Sequence, residues 1–532
     1  MQTHGTARIR REAKRLPETA QICLFPIAEA KEVQRPEGPA GLLNPPPERL
    51  FVGDQPLSEY LPQHELGWVL ELRRWLFESD LSGLTKIYRP NGRPAIHPGI
   101  LLGLILYGCL ESKSSLRNLE MLSKRDVGAW WLCGGLQPDH STIGKFLQLH
   151  DKVLTDEYFI SLTRMLLRRL HLSAGEAAGD GTVIEAAASH YRTLRAEAAR
   201  EAAEEARREA AARSGDVAAQ VEAVRAAAVA AVATEREAKQ LRAGKDPEAI
   251  AVSPSEPEAL VQPLKNGARR PSYKPSVLAN RQRLIVGQHV LPGDEVGAVE
   301  PMLQQHQAIT GALPSRLLQD AGYHNHKILA LSVALNLDLL CPSGKTQNGE
   351  WTKQSRQGKL HKNQFRYDEP RDVYLCSAGQ ELHYIDQGQD RDGRHYRRFQ
   401  CRDHGQCPFR AQCTKSAKLG RTVKRYEGDE LKEAMALVMQ DERARRAYGW
   451  RKAMVEPVFA ELRERQGLRR FHRRGLRGAR LEFALHCLAY NLKRGMSLAG
   501  GGLIILLLAR LDGGPWRCVL ACGLFSLPLG RK

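Results

Sequence analysis

Three acidic residues, Asp180, Asp320 and Glu456, occur in contexts suited to metal-dependent chemistry. Each aspartate follows a short apolar stretch and precedes a small residue, which predicts a position at the carboxyl end of a β-strand. In open α/β sheets, ligands bind at that edge. Glu456 lies on a predicted late helix. If folding brings the three carboxylates together, their repulsion requires a cation, and carboxylate oxygens suit Mg²⁺ or Mn²⁺.

Two divalent ions roughly 3.5–4 Å apart could hold the attacking and leaving oxygens of an in-line phosphoryl displacement. The acids therefore predict a phosphoryl-transfer site with Asp180, Asp320 and Glu456 as catalytic residues and metal ligands. The alternative is that they are ordinary turn or capping residues, since a chain with 60 acids always contains some suggestive group of three.

Cations surround and follow Glu456. Eight arginines occur between positions 463 and 480, with Phe471 and His472 among them. We predict DNA contacts from Arg451, Lys452, Arg463, Arg469, Arg470, Arg473, Arg474 and Arg477. Planar guanidinium groups suit phosphate oxygens, and a net charge of +19 with a pI near 9.5 favours a polyanionic partner. A solvated basic face is the alternative.

Four cysteines, Cys376, Cys401, Cys407 and Cys413, cluster late in the chain and could hold one structural Zn²⁺. The spacing is loose, and no tight Cys-x₂-Cys pair is present. His404 or Cys341 could replace one ligand. The alternative, unligated thiols in a reducing cytosol, remains open.

The elements that must position these residues follow from hydrophobic periodicity and composition. The divisions are a basic, proline-rich arm (1–50), a helical DNA-binding domain (51–172), an α/β core (173–190 and 264–341), a helical insertion and linker rich in Ala, Glu and Arg (191–263), an irregular cysteine-bearing insertion (342–428), helices carrying Glu456 (429–495), and an apolar, glycine-rich tail (496–532). Alternating strands and helices in the core predict an α/β sheet covered by helices. In the helical domain, a helix-turn-helix reader and an ordinary bundle both fit.

Residues 191–243 predict a long helix or helical hairpin, since Ala, Glu and Arg favour helices. A coiled-coil partner surface is the alternative to a solvated insertion. No apolar run reaches the ~20 residues that a spanning helix needs, and no apolar region follows the basic N-terminus as in a secretory signal. We therefore expect a cytoplasmic protein without a membrane partner.

Several blocks, in this order and spacing, resemble DDE transposases of bacterial insertion sequences. They are Asp139-His-Ser-Thr142, Asp180-Gly-Thr182, Asp320-Ala-Gly-Tyr323, Val455-Glu-Pro-Val-Phe459 with Arg463 after it, and the arginine-rich stretch ending in Ala489-Tyr-Asn-Leu492. The resemblance covers about residues 60–494. It implies an RNase H-like mixed sheet flanked by helices, a catalytic triad of Asp180, Asp320 and Glu456, two Mg²⁺ or Mn²⁺ ions, and an N-terminal helical domain.

The resemblance further implies a DNA transposase of a mobile element. Such an enzyme binds double-stranded DNA, both terminal inverted repeats and target DNA, hydrolyses a phosphodiester and joins the freed 3′-hydroxyl to the target. Handling two ends predicts a homodimer or higher assembly at the nucleoid. Departures from the family pattern are Arg463 for a frequent Lys, Ala460 for a frequent Gly, and the length of 191–243. Glu461 is a rival third acid, but Glu456 better matches the block.

Three alternatives remain open. A non-catalytic DNA-binding relative would bind DNA without nicking it. An RNase H-like nuclease would cut without strand transfer. A scaffold protein would use residues 191–243 as a coiled coil and would not need DNA.

Overall fold

The computed structural model describes residues 41–88, 94–189, 191–242, 244, 246, 250–264, 267–343, 360, 362–390, 393–402, 405, 407–414, 416 and 418–511, with the side chains described to residue 500. Most of the predicted arm (1–50), His404 and the end of the predicted tail lie outside these ranges. The described end of the arm packs on the protein, because Leu43 pairs with Ile96 and Pro47 is buried.

The helices and strands are numbered in chain order. The helices are α1 (Leu57–Gln63), α2 (Gly67–Glu78), α3 (Ser82–Thr85), α4 (Pro98–Leu110), α5 (Leu116–Arg125), α6 (Val127–Cys133), α7 (His140–Leu149), α8 (Tyr158–Arg169), α9 (Ala196–Ala212), α10 (Val217–Arg242), α11 (Val299–Thr310), α12 (His326–Ala334), α13 (Arg410–Cys413), α14 (Asp429–Val438), α15 (Glu442–Ala460) and α16 (Gly475–Leu511). The strands are β1 (Phe51–Val52), β2 (Gln55–Pro56), β3 (Glu176–Gly181), β4 (Ile184–Glu185), β5 (Leu194–Arg195), β6 (Ala251–Val252), β7 (Leu260–Pro263), β8 (Arg269–Asn280), β9 (Ile285–Leu291), β10 (Arg316–Leu318), β11 (Asp338–Leu340), β12 (Arg366–Asp368), β13 (Val373–Leu375), β14 (Glu381–Gln389), β15 (His395–Cys401) and β16 (Thr422–Tyr426).

The N-terminal helical part is built around α4. Every residue of α4 is buried, as its nearly continuous apolar sequence predicts. Local signals set the helix starts: Ser115 caps α5, Asp126 caps α6 and Asp139 caps α7, each through its side-chain oxygen. These caps fix the turns between α5, α6 and α7.

The central sheet is mixed. Its main strands lie in the order β9-β8-β3-β10-β11. Strand β8 runs antiparallel to both β9 and β3, whereas β3, β10 and β11 are mutually parallel. The predicted mixed α/β class is therefore confirmed.

Helices cover this sheet and connect it to the N-terminal part. Helix α11 packs on β9 and α8, α15 packs on β3 and β8, and α16 packs on α4, α8 and β9. One continuous hydrophobic core contains side chains from both the helical part and the sheet. Helix α16 is the element that joins them, and it extends to Leu511, past the position where the sequence predicted an apolar tail.

The insertion at 191–263 forms a hairpin of α9 and α10. A small core of Ala196, Ala199, Val229 and Ala233, with Ile250 and Val252, holds the two helices together. Helix α10 is long and apolar enough to cross a membrane by length and composition alone. The sequence did not predict such a segment, because residues 191–243 were interpreted as a helical insertion; 17% of the apolar window of α10 is buried inside the protein.

The described part of the cysteine-bearing insertion is a regular structure, and for this part the prediction of an irregular one was wrong. Strands β12 to β16 form a five-stranded antiparallel sheet in sequence order. The strands are rich in charged residues, so their composition resembled a loop. Arg398 of β15 forms an ion pair with Asp386, which lies opposite it on β14, and Arg397 forms one with Asp372 in the turn before β13. These pairs place charges on the sheet surface. The small core beneath includes Phe365, a residue just before β12.

Candidate active site and basic segment

Asp180 lies at the carboxyl end of β3, in the middle of the central sheet. Its Oδ1 accepts a hydrogen bond of 2.9 Å from the Gly181 amide. Burial raises the pKa of Asp180, and the carboxylates of Asp320 and Glu295 raise it further, while the Arg451 guanidinium and the Gly181 amide oppose the rise. Because ionising Asp180 costs free energy in this environment, a cation beside its carboxylate would stabilise the ionised form.

Asp320 lies beside Asp180 because of strand register. Leu318 of β10 pairs with Ala178 of β3 in parallel, and each aspartate follows its paired residue by two positions. Asp320 also caps the short turn after its strand, accepting a hydrogen bond of 2.8 Å from the Gly322 amide. Its side chain is 40% exposed, so this carboxylate is open to solvent. The two predicted aspartates therefore meet at one edge of the sheet.

Arg451 of α15 lies between these two carboxylates. Its Nη2 is 3.1 Å from Oδ1 of Asp180 and 3.9 Å from Oδ2 of Asp320, and it donates to the Gly179 carbonyl at 3.1 Å. The side chain is only 7% exposed. The sequence predicted Arg451 as a DNA contact, but here its charge balances the protein's own acids.

Glu456 lies five residues further along α15 and is exposed. Among the described residues it has no hydrogen-bond or ion-pair partner, and no group of three His, Cys, Asp or Glu side chains is arranged to hold a metal ion. One helical turn beyond the end of α15, Arg463 donates a hydrogen bond of 2.9 Å to Oγ1 of Thr182, next to the Asp180 strand end. Glu456 thus lies on α15 between two arginines that both reach this edge, but it does not join the aspartate pair.

Glu295 is a further acid at this site that sequence reasoning missed. A β-carbon on Gly181 would lie only 3.0 Å from Cγ of Glu295. Glu295 forms a 2.9 Å ion pair with Lys274. It follows a Gly-Asp turn at the start of a helical stretch. An acid at that position is usually interpreted as stabilising the helix N-terminus, so no sequence signal distinguished Glu295.

Tyr323, part of the Asp320 block, points toward the same acids. It is buried, and its hydroxyl lies beside the Ser276 hydroxyl. Burial raises the pKa of Tyr323, and Glu295, Asp180 and Asp320 raise it further. The phenol therefore stays protonated beside three carboxylates, where it can donate a hydrogen bond.

The predicted DNA-binding cations divide into two groups. In the first group, Arg470 donates to the carbonyls of Ala186 and Ala188, Arg477 pairs with Asp151, and burial lowers the pKa of Arg473. The first group is held by contacts with the protein, although the side chains of Arg470 and Arg477 are still 49% exposed. The second group, which we call the exposed cations, consists of Lys452, Arg469 and Arg474. Arg469 pairs with the exposed Glu464.

The N-terminal helical part adjoins the arginine-rich stretch 463–480, which we call the basic segment. Ser112 donates a hydrogen bond to the Arg465 carbonyl, and Ser114 lies 3.5 Å from Nδ1 of His472. Lys113 and Arg117, which are exposed, belong to the same stretch of the helical part. The cations of the two parts therefore lie on adjoining surfaces.

Family models of transposase domains match both the N-terminal helical part and the region that contains the basic segment. A family model described as a transposase DDE domain matches residues 375–496, and one described as a transposase domain (DUF772) matches residues 56–149. No curated protein matches the chain. The first match contains Glu456, the basic segment and the four clustered cysteines, whereas Asp180 and Asp320 lie outside both.

These two matches confirm the resemblance to DDE transposases of insertion sequences that the sequence blocks indicated. Two segments of the chain match transposase domains, and the family of the DDE domain suggests nuclease or transposase activity.

Proposed function

We propose that this protein is an insertion-sequence DDE transposase that binds element ends, hydrolyses a phosphodiester there and transfers the freed 3′-hydroxyl to target DNA. The observation that carries the proposal is the pairing of Asp180 and Asp320 at the ends of adjacent parallel strands, sharing one cationic group. We propose that the central sheet is the RNase H-like core that the family resemblance implies, and its mixture of parallel and antiparallel strands supports this.

The donor set suits divalent metal ions. Asp180 and Asp320 supply hard oxygens that already converge on one cationic nitrogen, and Asp320 is open to solvent. Asp180 and Asp320 would hold the ions, and Glu456 would complete their coordination. Bound Mg²⁺ or Mn²⁺ would help to deprotonate water and would stabilise the leaving oxygen. Arg451 would have to leave its position between the aspartates.

The protein's own groups would orient the DNA. Arg463, held by Thr182, presents its charge beside the strand ends. The exposed cations Lys452, Arg469 and Arg474 would contact phosphates, and the adjoining helical part would bind the terminal inverted repeats. In the first step water forms a bond to phosphorus and the 3′-oxygen leaves; in the second, that 3′-hydroxyl attacks target DNA. Hydrolysis breaks one phosphodiester and leaves a 5′-phosphate beside the free 3′-hydroxyl. In the strand transfer a new phosphodiester forms as the 3′-oxygen of the target strand leaves, so neither step needs an outside energy source.

Two further features belong to the proposal. Because two element ends must be joined to one target, we propose a homodimer or larger assembly on DNA. We also propose a cytoplasmic location at the nucleoid, where the substrate is. The pairing of α9 with α10 within one chain supports a transposase over a coiled-coil scaffold, since each helix already has a partner.

The test is DNA cleavage and joining by the purified protein with labelled candidate element ends and Mg²⁺. We expect Asp320→Asn to lower both activities at least about 100-fold, because it removes a proposed metal ligand. The matched control is Asp338→Asn, which alters an exposed aspartate at the opposite end of the neighbouring strand. Equal cleavage by wild type and Asp320→Asn would overturn the proposed site, and nicked but never joined DNA would favour a nuclease.

A further inference from the structure

The four clustered cysteines surround a single small cavity at one end of the core of the five-stranded sheet. Cys376, Cys401, Cys407 and Cys413 all line it, together with Phe365 of that core. The cavity volume is about 20 Å³, which is enough for one ion or molecule the size of water. Folding thus brings cysteines that are up to 37 positions apart in sequence around one cavity of that small size.

Backbone turns hold two of these cysteines in place. Cys376 follows β13 and begins a turn closed by a 3.0 Å hydrogen bond from the Gly379 amide to its carbonyl. Gly379 adopts a φ of +76°, which favours glycine. The Ala378 amide lies 3.3 Å from the Cys376 sulfur and donates to it. At Cys407, a similar turn is closed by the Arg410 amide at 3.0 Å.

The remaining two cysteines are positioned by regular structure. Cys401 is the last residue of β15 and lies opposite Leu382 of β14. Cys413 ends the short helix α13. The four sulfurs are therefore positioned at one cavity by two turns, the end of a strand and the end of a helix.

These cysteines differ from the others that the structure describes. Cys109, Cys133 and Cys487 are fully buried in the main core, as small apolar side chains usually are. Cys341 is also buried and donates to the Asp320 carbonyl, away from the cavity. By contrast, Cys376, Cys407 and Cys413 are only partly buried. Simple core packing does not account for partly exposed thiols that converge on one point.

We infer that the cavity is a structural Zn²⁺ site with Cys376, Cys401, Cys407 and Cys413 as its ligands. Four thiolates are the donor set of closed, tetrahedral zinc sites. Arg410 and Arg421 also line the cavity, and their positive charge would complement the net negative charge of a zinc ion held by four thiolates. As they stand, the described thiols do not yet form a closed metal cluster. Closing around an ion needs the sulfurs to move inward toward the cavity centre.

The host sheet gives a physical reason for such a metal. Its strands have three to nine residues, and its core has six buried side chains, of which Cys401 is one. A core this small supplies little stability, and small units commonly depend on a metal or disulfides. The inference does not depend on the proposed catalysis, because the metal would act on folding alone.

The experiment measures metal content in the purified full-length chain. We expect about one zinc per chain by elemental analysis. Co²⁺ taken up in its place should give the intense thiolate-to-cobalt absorption of a tetrahedral four-sulfur site. A wild-type chain that contains no zinc and takes up no Co²⁺ with this spectrum would overturn the inference, as would titration showing these cysteines joined in disulfides.

Cysteine variants then assign the ligands. Cys407→Ala and Cys376→Ala should lower the zinc content from about one per chain to less than one tenth of that. The matched control is Cys133→Ala, a buried cysteine of α6 remote from the cavity, which should keep its zinc. Circular dichroism checks that each variant retains its helices. Full zinc content in Cys407→Ala, or equal loss in the control, would rule out the assigned ligands.

Discussion

Arg451 and Lys452 are neighbours in sequence but belong to different regions of the molecule. Arg451 is buried at the carboxyl ends of β3 and β10, between Asp180 and Asp320, whereas Lys452 is exposed. Successive residues of a helix are rotated by about 100°. A basic run on a helix that packs against a sheet therefore divides its charges between the interior and the surface.

The same division continues after α15. Arg470 and Arg477 bind carbonyls and an acid of the protein, while Arg474 is exposed. The group that we call inward, Arg470 and Arg477, contacts the protein's own polar groups although its side chains are 49% exposed. The outward group is available to phosphates. The density of arginines along the sequence therefore overstates the number of DNA contacts. The inward and outward groups should respond differently to substitution.

The largest effect is expected at Arg451. In Arg451→Met, Asp180 and Asp320 lose their shared counter-charge, and breaking a partly buried pair should lower the metal-free unfolding free energy by about 1–3 kcal/mol. Because a competing cation is removed, Mn²⁺ affinity should rise by about tenfold. Urea unfolding without metal and Mn²⁺ titration measure the two effects.

Lys452→Met is the matched control for this substitution, since it removes the adjacent charge from the exposed face of the same helix. It should change neither the unfolding free energy nor the Mn²⁺ affinity appreciably. If Arg451→Met left Mn²⁺ affinity unchanged, Arg451 would not occupy the place of a metal ion.

The position of the aspartates could be predicted from sequence because strand ends are local features. An apolar run followed by Asp and a small residue marks the carboxyl end of a strand, and parallel pairing then aligned Asp180 with Asp320. The hairpin of β8 and β9 around Asn280 follows from the same kind of local pattern. The helical hairpin of α9 and α10 followed from residue propensity.

The features that sequence did not reveal depend on contacts between distant segments. The inward orientation of Arg451 depends on how α15 packs on β3, and the approach of Glu295 depends on the close passage of backbone at Gly181. The polar five-stranded sheet was missed because it buries few side chains, so the usual alternation of apolar residues is weak. The role of Glu456 as third ligand stays a prediction.

A smaller effect is expected at the exposed cations. If Lys452 and Arg474 each neutralise one DNA phosphate, Lys452→Gln and Arg474→Gln should each reduce the slope of log affinity against log salt by about 0.9. Fluorescence anisotropy with a duplex at several salt concentrations measures this. Arg470→Gln is the inward comparison, because its guanidinium is held by the carbonyls of Ala186 and Ala188. If only Arg470→Gln changed the slope of log affinity against log salt, Arg470 would contact DNA and Lys452 and Arg474 would not, which contradicts the two groups.

The smallest effect concerns His472, which lies at the boundary between the two groups. Its Nδ1 is 3.0 Å from Oε1 of the buried Glu482. The hydrogen bond and charge of Glu482 raise the pKa of His472, against burial and the nearby Arg470 and Arg473. A raised folded-state pKa adds stability that is complete below the unfolded value of about 6.5 and disappears as the pH rises through the folded value.

His472→Gln should therefore cost up to about 1 kcal/mol of unfolding free energy at pH 6 and less at pH 9, a small amount because the ring is half exposed. Urea denaturation at the two pH values measures the difference. In a Glu482→Gln background the pH-dependent part of the cost should vanish, because the carboxylate that favours the protonated ring is gone. An equal cost at both pH values would mean that His472 stabilises the protein by packing, and would assign it to neither group of cations.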